Sequence, residues 1–168
     1  MTAPVRVRPM LADDVEALLR VQLECYPAAM NETADVLLAR WQACPDSAWV
    51  AVGARGEVGA YLVAYRSCWG KVSALGAPFA HHPQADVMYL HDLAIGRALR
   101  GQGVAALLVG AAREAARVAG LQGLALVSVN DTVRFWQGFG LQPEPVDAAG
   151  EQALGTYQGR AVYMAMSA

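Results

Sequence analysis

The sequence has few of the residues that mark several common classes of protein. Its three cysteines, Cys25, Cys44 and Cys68, include no Cys-x-x-Cys pair. This odd, irregular set argues against a disulfide framework or a structural zinc site, and predicts reduced thiols in a cytoplasmic protein. The 13 basic and 15 acidic residues give a net charge of −2 without a basic run, so nucleic-acid binding has little electrostatic support.

Long apolar segments are also missing. The longest helical apolar stretch, residues 104–112, is far shorter than the ~20 residues that a membrane span requires. Residues 1–16 lack the apolar centre of a secretory signal, so we expect no membrane partner. Adjacent histidines such as His81 and His82 point in different directions in an extended chain, and no third ligand has metal-site spacing, so we predict no metal. The 168 residues suit one domain, 1–168.

The order of secondary structure can be predicted from short patterns. Alternation in residues 5–8 predicts a strand, and Asp13 with Glu16 predicts the capping box of a first helix. Asn31 or Thr33 can cap a second helix. Two strand-like runs around a Gly-containing turn predict a hairpin. The strand-like runs are 48–52, 58–65, 87–95, 124–129 and 158–166.

The glycine turn at residues 100–105, Arg-Gly-Gln-Gly-Val-Ala, is the most informative segment. With so little side-chain bulk, several backbone N–H groups can point outward together, and a diphosphate fits such a concavity. Arg100 adds a positive charge. In any α/β domain, however, glycines at a strand-to-helix turn can simply relieve crowding. The apolar stripe predicted for the following helix is Val104, Leu107, Leu108, Ala111, Ala115 and Val118.

Two other phosphate-binding motifs fit this turn poorly. Gly101, Gly103 and Ala106 match the dinucleotide fingerprint loosely, but that site needs an acidic residue ~20 positions further on. Residues 115–130 contain no Asp or Glu. A nucleoside triphosphate loop would need Gly-Lys-Ser or Gly-Lys-Thr, whereas Val104 follows Gly103.

The pattern Arg-x-x-Gly-x-Ala after Leu-His-Asp-Leu-Ala-Ile resembles the acetyl-CoA site of the GNAT superfamily of N-acetyltransferases. Asn130, followed by Phe-Trp-Gln-Gly-Phe-Gly-Leu at 135–141, is similar to the second motif block of that family. Both blocks occur in the family's order and spacing, over roughly residues 87–142. The resemblance implies an α/β (α+β) fold: a central mixed, mostly antiparallel sheet of about 6–7 strands, splayed at strands four and five, with about 4 flanking helices.

The resemblance also implies acetyl-CoA as the co-substrate. In the family the pantetheine arm lies beside the fourth strand and the helix N-terminus holds the pyrophosphate. A backbone N–H near Ile95 is the candidate that polarises the thioester carbonyl. Family members are commonly dimers, so a homodimer is a further expectation. The residues that match the cofactor-binding positions are Leu93, Ala94, Ile95, Arg100, Gly101, Gln102, Gly103, Val104, Ala105, Asn130 and Phe135.

Two neighbouring residues of the fourth strand are candidates for the catalytic base. The segment Tyr-Leu-His-Asp-Leu-Ala-Ile is similar to Tyr-Leu-Glu-Asp-Phe-Phe-Val of polyamine-type members, and His91 falls on the glutamate that faces the amine. Free histidine has a pKa near 6.5, which suits proton removal at neutral pH. Packing is the alternative role for His91. Asp92 is the second candidate base, and a structural hydrogen-bonding role is its alternative.

One position departs from the family pattern. Trp136 stands where the family has a tyrosine acid, and an indole N–H cannot serve as an acid. Either water or another phenol, Tyr157 or Tyr163, then protonates the CoA thiolate, or the step needs no dedicated acid. Phe135 also suits the core face of a short helix, and Asn130 also suits a helix N-cap.

The predicted activity is direct transfer of an acetyl group to a primary amine of a small molecule or an exposed amino group. The alternative is a catalytically degenerate member of the family that binds acyl-CoA as a sensor or interaction module, with Trp136 as the trace of lost catalysis. Residues 67–86 form a long connection, which is either a wall of the acceptor pocket or a solvated loop.

Overall fold

A computed structural model describes residues 4–168 of the chain. Within this range there are seven strands and five α-helices, and the strands form a mixed sheet in the order β1-β2-β3-β4-β5-β7-β6. The predicted fold class is confirmed, with one helix more than expected. The elements are β1 (Arg6–Pro9), α1 (Val15–Cys25), α2 (Ala34–Ala43), β2 (Ala48–Val52), β3 (Val58–Ser67), β4 (Val87–Ile95), α3 (Val104–Val118), β5 (Gly123–Ser128), α4 (Val133–Gln137), β6 (Gln142–Pro143), α5 (Ala148–Leu154) and β7 (Val162–Ser167).

The chain clusters into two compact units. The first runs through Ala64 and includes Asp92–Ala111, whereas the second comprises Tyr65–His91 and Ala112–Ala168. The single-domain organisation therefore stays a prediction. Within the described chain, no helix combines the length and the apolar character that a membrane span requires.

In the first unit, β1, β2 and the first part of β3 pair in antiparallel order. All five residues of β2 are buried, as expected for a strand that is covered on both faces. Thr33 caps α2 by accepting a hydrogen bond from the Val36 N–H, as predicted.

The predicted Asp13–Glu16 capping box of the first helix is wrong. Asp14 is the N-cap residue of α1, and its carboxylate accepts hydrogen bonds from the Leu11 N–H at 2.8 Å and from the Arg8 guanidinium at 2.8 and 2.9 Å. Burial alone would raise the pKa of Asp14, but these hydrogen bonds outweigh it and lower that pKa. Asp14, the residue next to the predicted Asp13, thus links β1 to the start of α1.

In the second unit, β5 lies between a parallel and an antiparallel neighbour. Among the described residues, its register with β4 runs from Val87↔Gly123 to Leu90↔Leu126, whereas its register with β7 continues to Ser128↔Val162. Both β4 and β5 continue past their last registered pair. The parallel pairing of β4 with β5 is therefore established, and the splay of strands four and five stays a prediction.

The buried face of α3 is rotated from the predicted stripe. Val104 and Leu108 are buried as expected, but Leu107 is 45% exposed and Val118 is 72% exposed. Val109, Ala112 and Ala116 are buried in their place. The period of the stripe was correct and its phase was wrong, because alanine-rich helices leave several faces equally apolar.

We expect Gly123→Ala to destabilise the protein. A Cβ built on Gly123 lies 1.8 Å from the Met166 carbonyl oxygen, so the β5–β7 ladder must shift, at a cost of about 1–3 kcal/mol or more. Gly110→Ala is the matched control, because a Cβ there meets nothing within 4 Å and alanine in a helix is favoured by about 0.5–1 kcal/mol. Urea unfolding measures both changes, and equal stabilities would contradict the β5–β7 register.

Candidate functional site

The glycine turn between β4 and α3 forms an open concavity of backbone donors. Gly101 and Gly103 have φ of 73° and 72°, a left-handed conformation that favours glycine. A Cβ at either position would meet nothing within 4 Å. The Leu107 N–H donates to the Gly103 carbonyl at 3.3 Å, so the N–H groups of 104–106 precede the helical ladder and point outward. The turn therefore has the space and the donors to hold a diphosphate.

The side chains of this turn fold back on its own backbone. Gln102 Nε2 donates to the Ala98 carbonyl at 2.8 Å, and Arg100 Nε donates to the Ile95 carbonyl at 3.2 Å. Arg100 is exposed and has five N–H donors in all. It can therefore keep the Ile95 contact and also bind an anion.

The last residues of β4 present backbone groups on one edge. The N–H of Gly96 donates to the Gly59 carbonyl of β3 at 2.8 Å. Because N–H directions alternate along a strand, the N–H groups of Leu93 and Ile95 point to the opposite edge. Ala94 lies between them with 3% of its surface exposed. This edge has the donors that an added, strand-like ligand would use.

Two residues at the end of α1 contact the carbonyls of this edge. Tyr26 Oη donates to the Leu93 carbonyl at 3.2 Å, and Cys25 Sγ donates to the Ile95 carbonyl at 3.3 Å. These contacts fix the direction of the strand where its backbone N–H groups point outward. Sequence reasoning missed both residues, since a tyrosine and a cysteine at a helix end carry no local motif.

Asp92 is held by two tyrosine hydroxyls. Tyr26 Oη donates to Asp92 Oδ1, and Tyr61 Oη donates to Oδ2 at 2.7 Å. Asp92 is half-buried, and the protein packed around its carboxyl group raises the pKa of Asp92 although both hydrogen bonds act against the rise. Burial and the nearby carboxylate also raise the pKa values of Tyr26 and Tyr61, so both phenols remain donors at neutral pH.

His91 belongs to the second unit and lies among aromatic rings. Its imidazole meets Phe79 edge-on with ring centroids 4.7 Å apart, and Phe79 meets Tyr65 at 4.8 Å. The residue is half-buried. Phe79 comes from the connection between β3 and β4 and is 7% exposed, so part of this connection packs against the sheet instead of lying in solvent.

Asn130 is not the N-cap of α4, as one of its predicted roles required. Thr132 occupies that position, whereas Asn130 and Asp131 have φ of 55° and 58°. Left-handed backbone is uncommon for residues other than glycine, although Asn and Asp adopt it most readily. Two such residues in succession turn the chain sharply after β5.

The predicted core role of Phe135 is also wrong, because 44% of its surface is exposed. Phe135, Trp136 and Phe139 form one aromatic cluster, with ring centroids 4.9 to 6.1 Å apart. Exposure leaves Phe135 open to a ligand, in keeping with its predicted cofactor-binding role.

Both candidate acids have hydrogen-bond partners, but only Tyr157 uses its proton. Tyr157 Oη donates to the Ser73 carbonyl at 2.8 Å, and Tyr163 Oη accepts a hydrogen bond from the Gly70 N–H at 2.8 Å. Burial raises the pKa of each phenol. Each is therefore a weaker acid than a free tyrosine, and a thiolate has a lower proton affinity than a phenolate.

The predicted site residues divide between the two units. Asp92, Leu93–Ile95 and residues 100–105 lie in the first, whereas His91, Asn130 and Phe135 lie in the second. Among the described residues, no three of the types that bind metals come together. His81 Nδ1 instead accepts the Arg66 N–H at 2.9 Å, and His82 Nδ1 accepts the Gln84 N–H at 3.1 Å.

A model of the acetyltransferase (GNAT) family matches residues 15–141. Since this is more than half of the chain, the protein belongs to that family, as its motifs predicted. Comparison with curated protein sequences gives no match.

Solved structures share the fold at low sequence identity. The GphF GNAT-like decarboxylase in complex with isobutyryl-CoA has a TM-score of 0.76 at 18% identity, over 96% of this chain and 98% of that one. The loading GNATL domain of CurA from Lyngbya majuscula has a TM-score of 0.77 at 13% identity, and Ard1 from Thermoplasma volcanium has 0.73 at 16%, each over 98% of both chains. At these identities the likeness establishes the fold alone.

We expect Gly103→Glu to abolish CoA binding. The change places bulk and a negative charge in the open concavity, at a backbone φ of 72° that glutamate adopts poorly. Calorimetric titration with CoA measures the loss. Gly76→Glu, at φ 78° with equally open space, is the control for backbone strain and should bind CoA normally. Unchanged affinity in Gly103→Glu would refute the concavity as the pyrophosphate site.

A second prediction concerns the Asp92 hydrogen bonds. Tyr26→Phe removes one of the two donors from the Asp92 carboxyl group and, if that group is a carboxylate, should lower the free energy of unfolding at pH 7 by about 1.5–3 kcal/mol. Tyr157→Phe removes a bond to a neutral carbonyl and should cost only about 0.5–1.5 kcal/mol. Urea unfolding of both variants gives the comparison, and an equal or smaller loss in Tyr26→Phe would contradict the charged interaction.

Proposed function

We propose that this protein is an acetyl-CoA-dependent N-acetyltransferase that transfers the acetyl group directly to a primary amine. The observation that carries the proposal is the concavity at residues 100–105, which offers open space and outward N–H groups at the start of α3. It occurs in a chain that belongs to the acetyltransferase (GNAT) family. The pyrophosphate of acetyl-CoA binds there and at Arg100.

The carbonyl group of the thioester must be polarised before the amine can attack it. In this proposal the N–H of Ile95 polarises that carbonyl, because this N–H lies on the edge of β4 that points away from β3 and does not pair with it. A fixed N–H donor stabilises the oxyanion that forms when the amine attacks, without reorganising at that moment. The contacts of Tyr26 and Cys25 with the adjacent carbonyls hold that edge in place.

His91 removes the proton from the acceptor amine. Asp92 is the poorer base, since both its oxygens already accept hydrogen bonds from phenols. We therefore assign Asp92 a positioning role: it ties the end of α1 to β4. The CoA thiolate takes its proton from water, because Tyr157 already donates its proton to the Ser73 carbonyl and burial makes both Tyr157 and Tyr163 weak acids.

The second candidate function is that of an acyl-CoA-binding sensor without turnover. Trp136 favours this function, because it stands where the family has its tyrosine acid.

Two measurements distinguish the two functions. The first is calorimetric titration with acetyl-CoA, with desulfo-CoA and NAD as controls, and the second is thiol release on a panel of amines. Binding with turnover supports the transferase, whereas binding without turnover on any amine supports the sensor. No binding at all refutes both.

The three free cysteines support a cytoplasmic location as part of the same proposal, because thiols persist in reducing compartments.

We expect His91→Ala to lower turnover by about 10²-fold or more, to remove the rise of rate with pH near neutrality, and to leave the affinity for acetyl-CoA almost unchanged. His91→Phe is the matched variant, since it keeps an aromatic ring against Phe79 but has no base. The pH–rate profile of thiol release measures both. If His91 only packs, His91→Phe will retain the wild-type rate and profile.

A further inference from the structure

The chain that follows β3 brings a thiol against an imidazole. Cys68 comes directly after the last residue of β3, and its Sγ lies 3.3 Å from His82 Nδ1. Both residues belong to the second unit and both are half-buried, so solvent reaches them. We call them the thiol–imidazole pair. The proposed transferase function uses neither residue.

Backbone hydrogen bonds hold the imidazole in place beside the thiol. The His82 N–H donates to the Arg66 carbonyl at 2.9 Å, and the Asp86 N–H donates to the Ser67 carbonyl at 2.9 Å. These bonds tie the last part of the β3–β4 connection to the end of β3, immediately before Cys68. The two groups therefore meet in a fixed geometry, which lowers the entropic cost of a reaction between them.

The Gln84 N–H determines where the proton of the pair lies. It donates to His82 Nδ1 at 3.1 Å, so Nδ1 presents a lone pair and the neutral imidazole carries its proton on Nε2. In the contact with Cys68, the thiol is therefore the donor and Nδ1 is the acceptor. The Gln84 carbonyl is a second acceptor for this thiol, but it lies farther from Sγ, at 3.7 Å.

These three groups form the arrangement that activates a nucleophile. Such an arrangement needs a nucleophile, a base within hydrogen-bond reach and a third group that orients the base. Cys68 is the nucleophile, His82 is the base, and the Gln84 N–H orients the imidazole. An imidazole can accept the thiol proton as the sulfur attacks an electrophile.

The other two cysteines differ from Cys68 in ways that predict lower reactivity. Cys44 has 1% of its surface exposed, and buried cysteines are chemically inert. Cys25 Sγ donates to the Ile95 carbonyl at 3.3 Å and accepts a hydrogen bond from Arg100 at 3.9 Å. The guanidinium favours a thiolate at Cys25, but neither the guanidinium nor the carbonyl can take up the thiol proton.

We propose that Cys68 is an oxidation site that hydrogen peroxide converts to a sulfenic acid, with His82 as the base. The sulfur attacks one peroxide oxygen, so an S–O bond forms while the O–O bond breaks. His82 Nδ1 takes the thiol proton, releases the Gln84 N–H, and passes the proton to the departing hydroxide, which leaves as water. Sulfur loses two electrons and the peroxide gains them. Hydrogen peroxide is small and uncharged, which suits a half-buried thiol. The inference does not rest on the transferase function.

The test measures how fast each cysteine of the full chain forms a sulfenic acid in hydrogen peroxide, with dimedone as the trap and peptide mass spectrometry as the readout. Cys68 should be labelled about tenfold faster or more in the folded protein than in urea-unfolded protein, where it has lost its base. Cys44 should change in the opposite direction, because unfolding exposes it.

A histidine variant separates the base from the fold around it. In His82→Gln the side-chain oxygen still accepts hydrogen bonds but cannot take up a proton. The change should lower the labelling rate of Cys68 by about tenfold or more and leave that of Cys25 unchanged. His81→Gln is the matched control, because His81 Nδ1 accepts the Arg66 N–H at 2.9 Å, and it should leave both rates unchanged.

A Cys68 rate in the folded protein that does not exceed the rate in urea, or one that His82→Gln leaves unchanged, would overturn the inference. An equal loss in His81→Gln would also overturn it, because Cys68 would then depend on the shape of the connection and not on the base. Labelling of Cys44 reports whether His82→Gln is folded. If this variant is unfolded, the comparison of folded and unfolded wild-type protein decides.

Discussion

The proposed site depends on the two hydrogen bonds that hold the carboxyl group of Asp92. A carboxyl group that is partly removed from water is costly unless it is hydrogen-bonded, and Tyr26 and Tyr61 each supply one bond. Because Tyr26 also donates to the Leu93 carbonyl, one phenol joins the end of α1 to two successive residues of β4. The backbone that presents the N–H of Ile95 is therefore anchored from one side, and a strand edge that would otherwise be free to pair is held ready for a ligand.

The glycine turn at residues 100–105 offers backbone donors for anion binding. Its shape depends on a left-handed conformation at Gly101 and Gly103, and Arg100 is the charged side chain that it adds. Because backbone N–H groups are present whatever the side chains are, such a turn suits a part of the substrate that never varies, such as a diphosphate.

The sequence predicted whatever depends on neighbouring residues and failed where distant residues meet. The turn at 100–105 was predictable because its glycines, its charge and its following helix are contiguous. The Asp92 contacts were not, because Tyr61 and Tyr26 lie 31 and 66 residues away along the chain. The exposure of Leu107 and Val118 was missed because periodicity gives the spacing of an apolar stripe but not which of several alanine faces is covered. The N-cap role, one of two predicted for Asn130, was wrong because residue type does not reveal two successive left-handed residues.

Because the pKa of Asp92 is raised in the folded protein, this residue makes the stability of the fold depend on pH. A carboxyl group whose pKa is higher in the folded than in the unfolded chain binds protons preferentially when folded, so its contribution to stability falls as pH rises through the window between those two values. Asp14, whose pKa is lowered, acts in the opposite direction and loses its contribution as pH falls. Acid therefore weakens the link between β1 and α1, whereas a rise in pH reduces the contribution of Asp92 beside the proposed site. The two carboxyl groups thus give the fold opposite pH dependences at the two ends of α1.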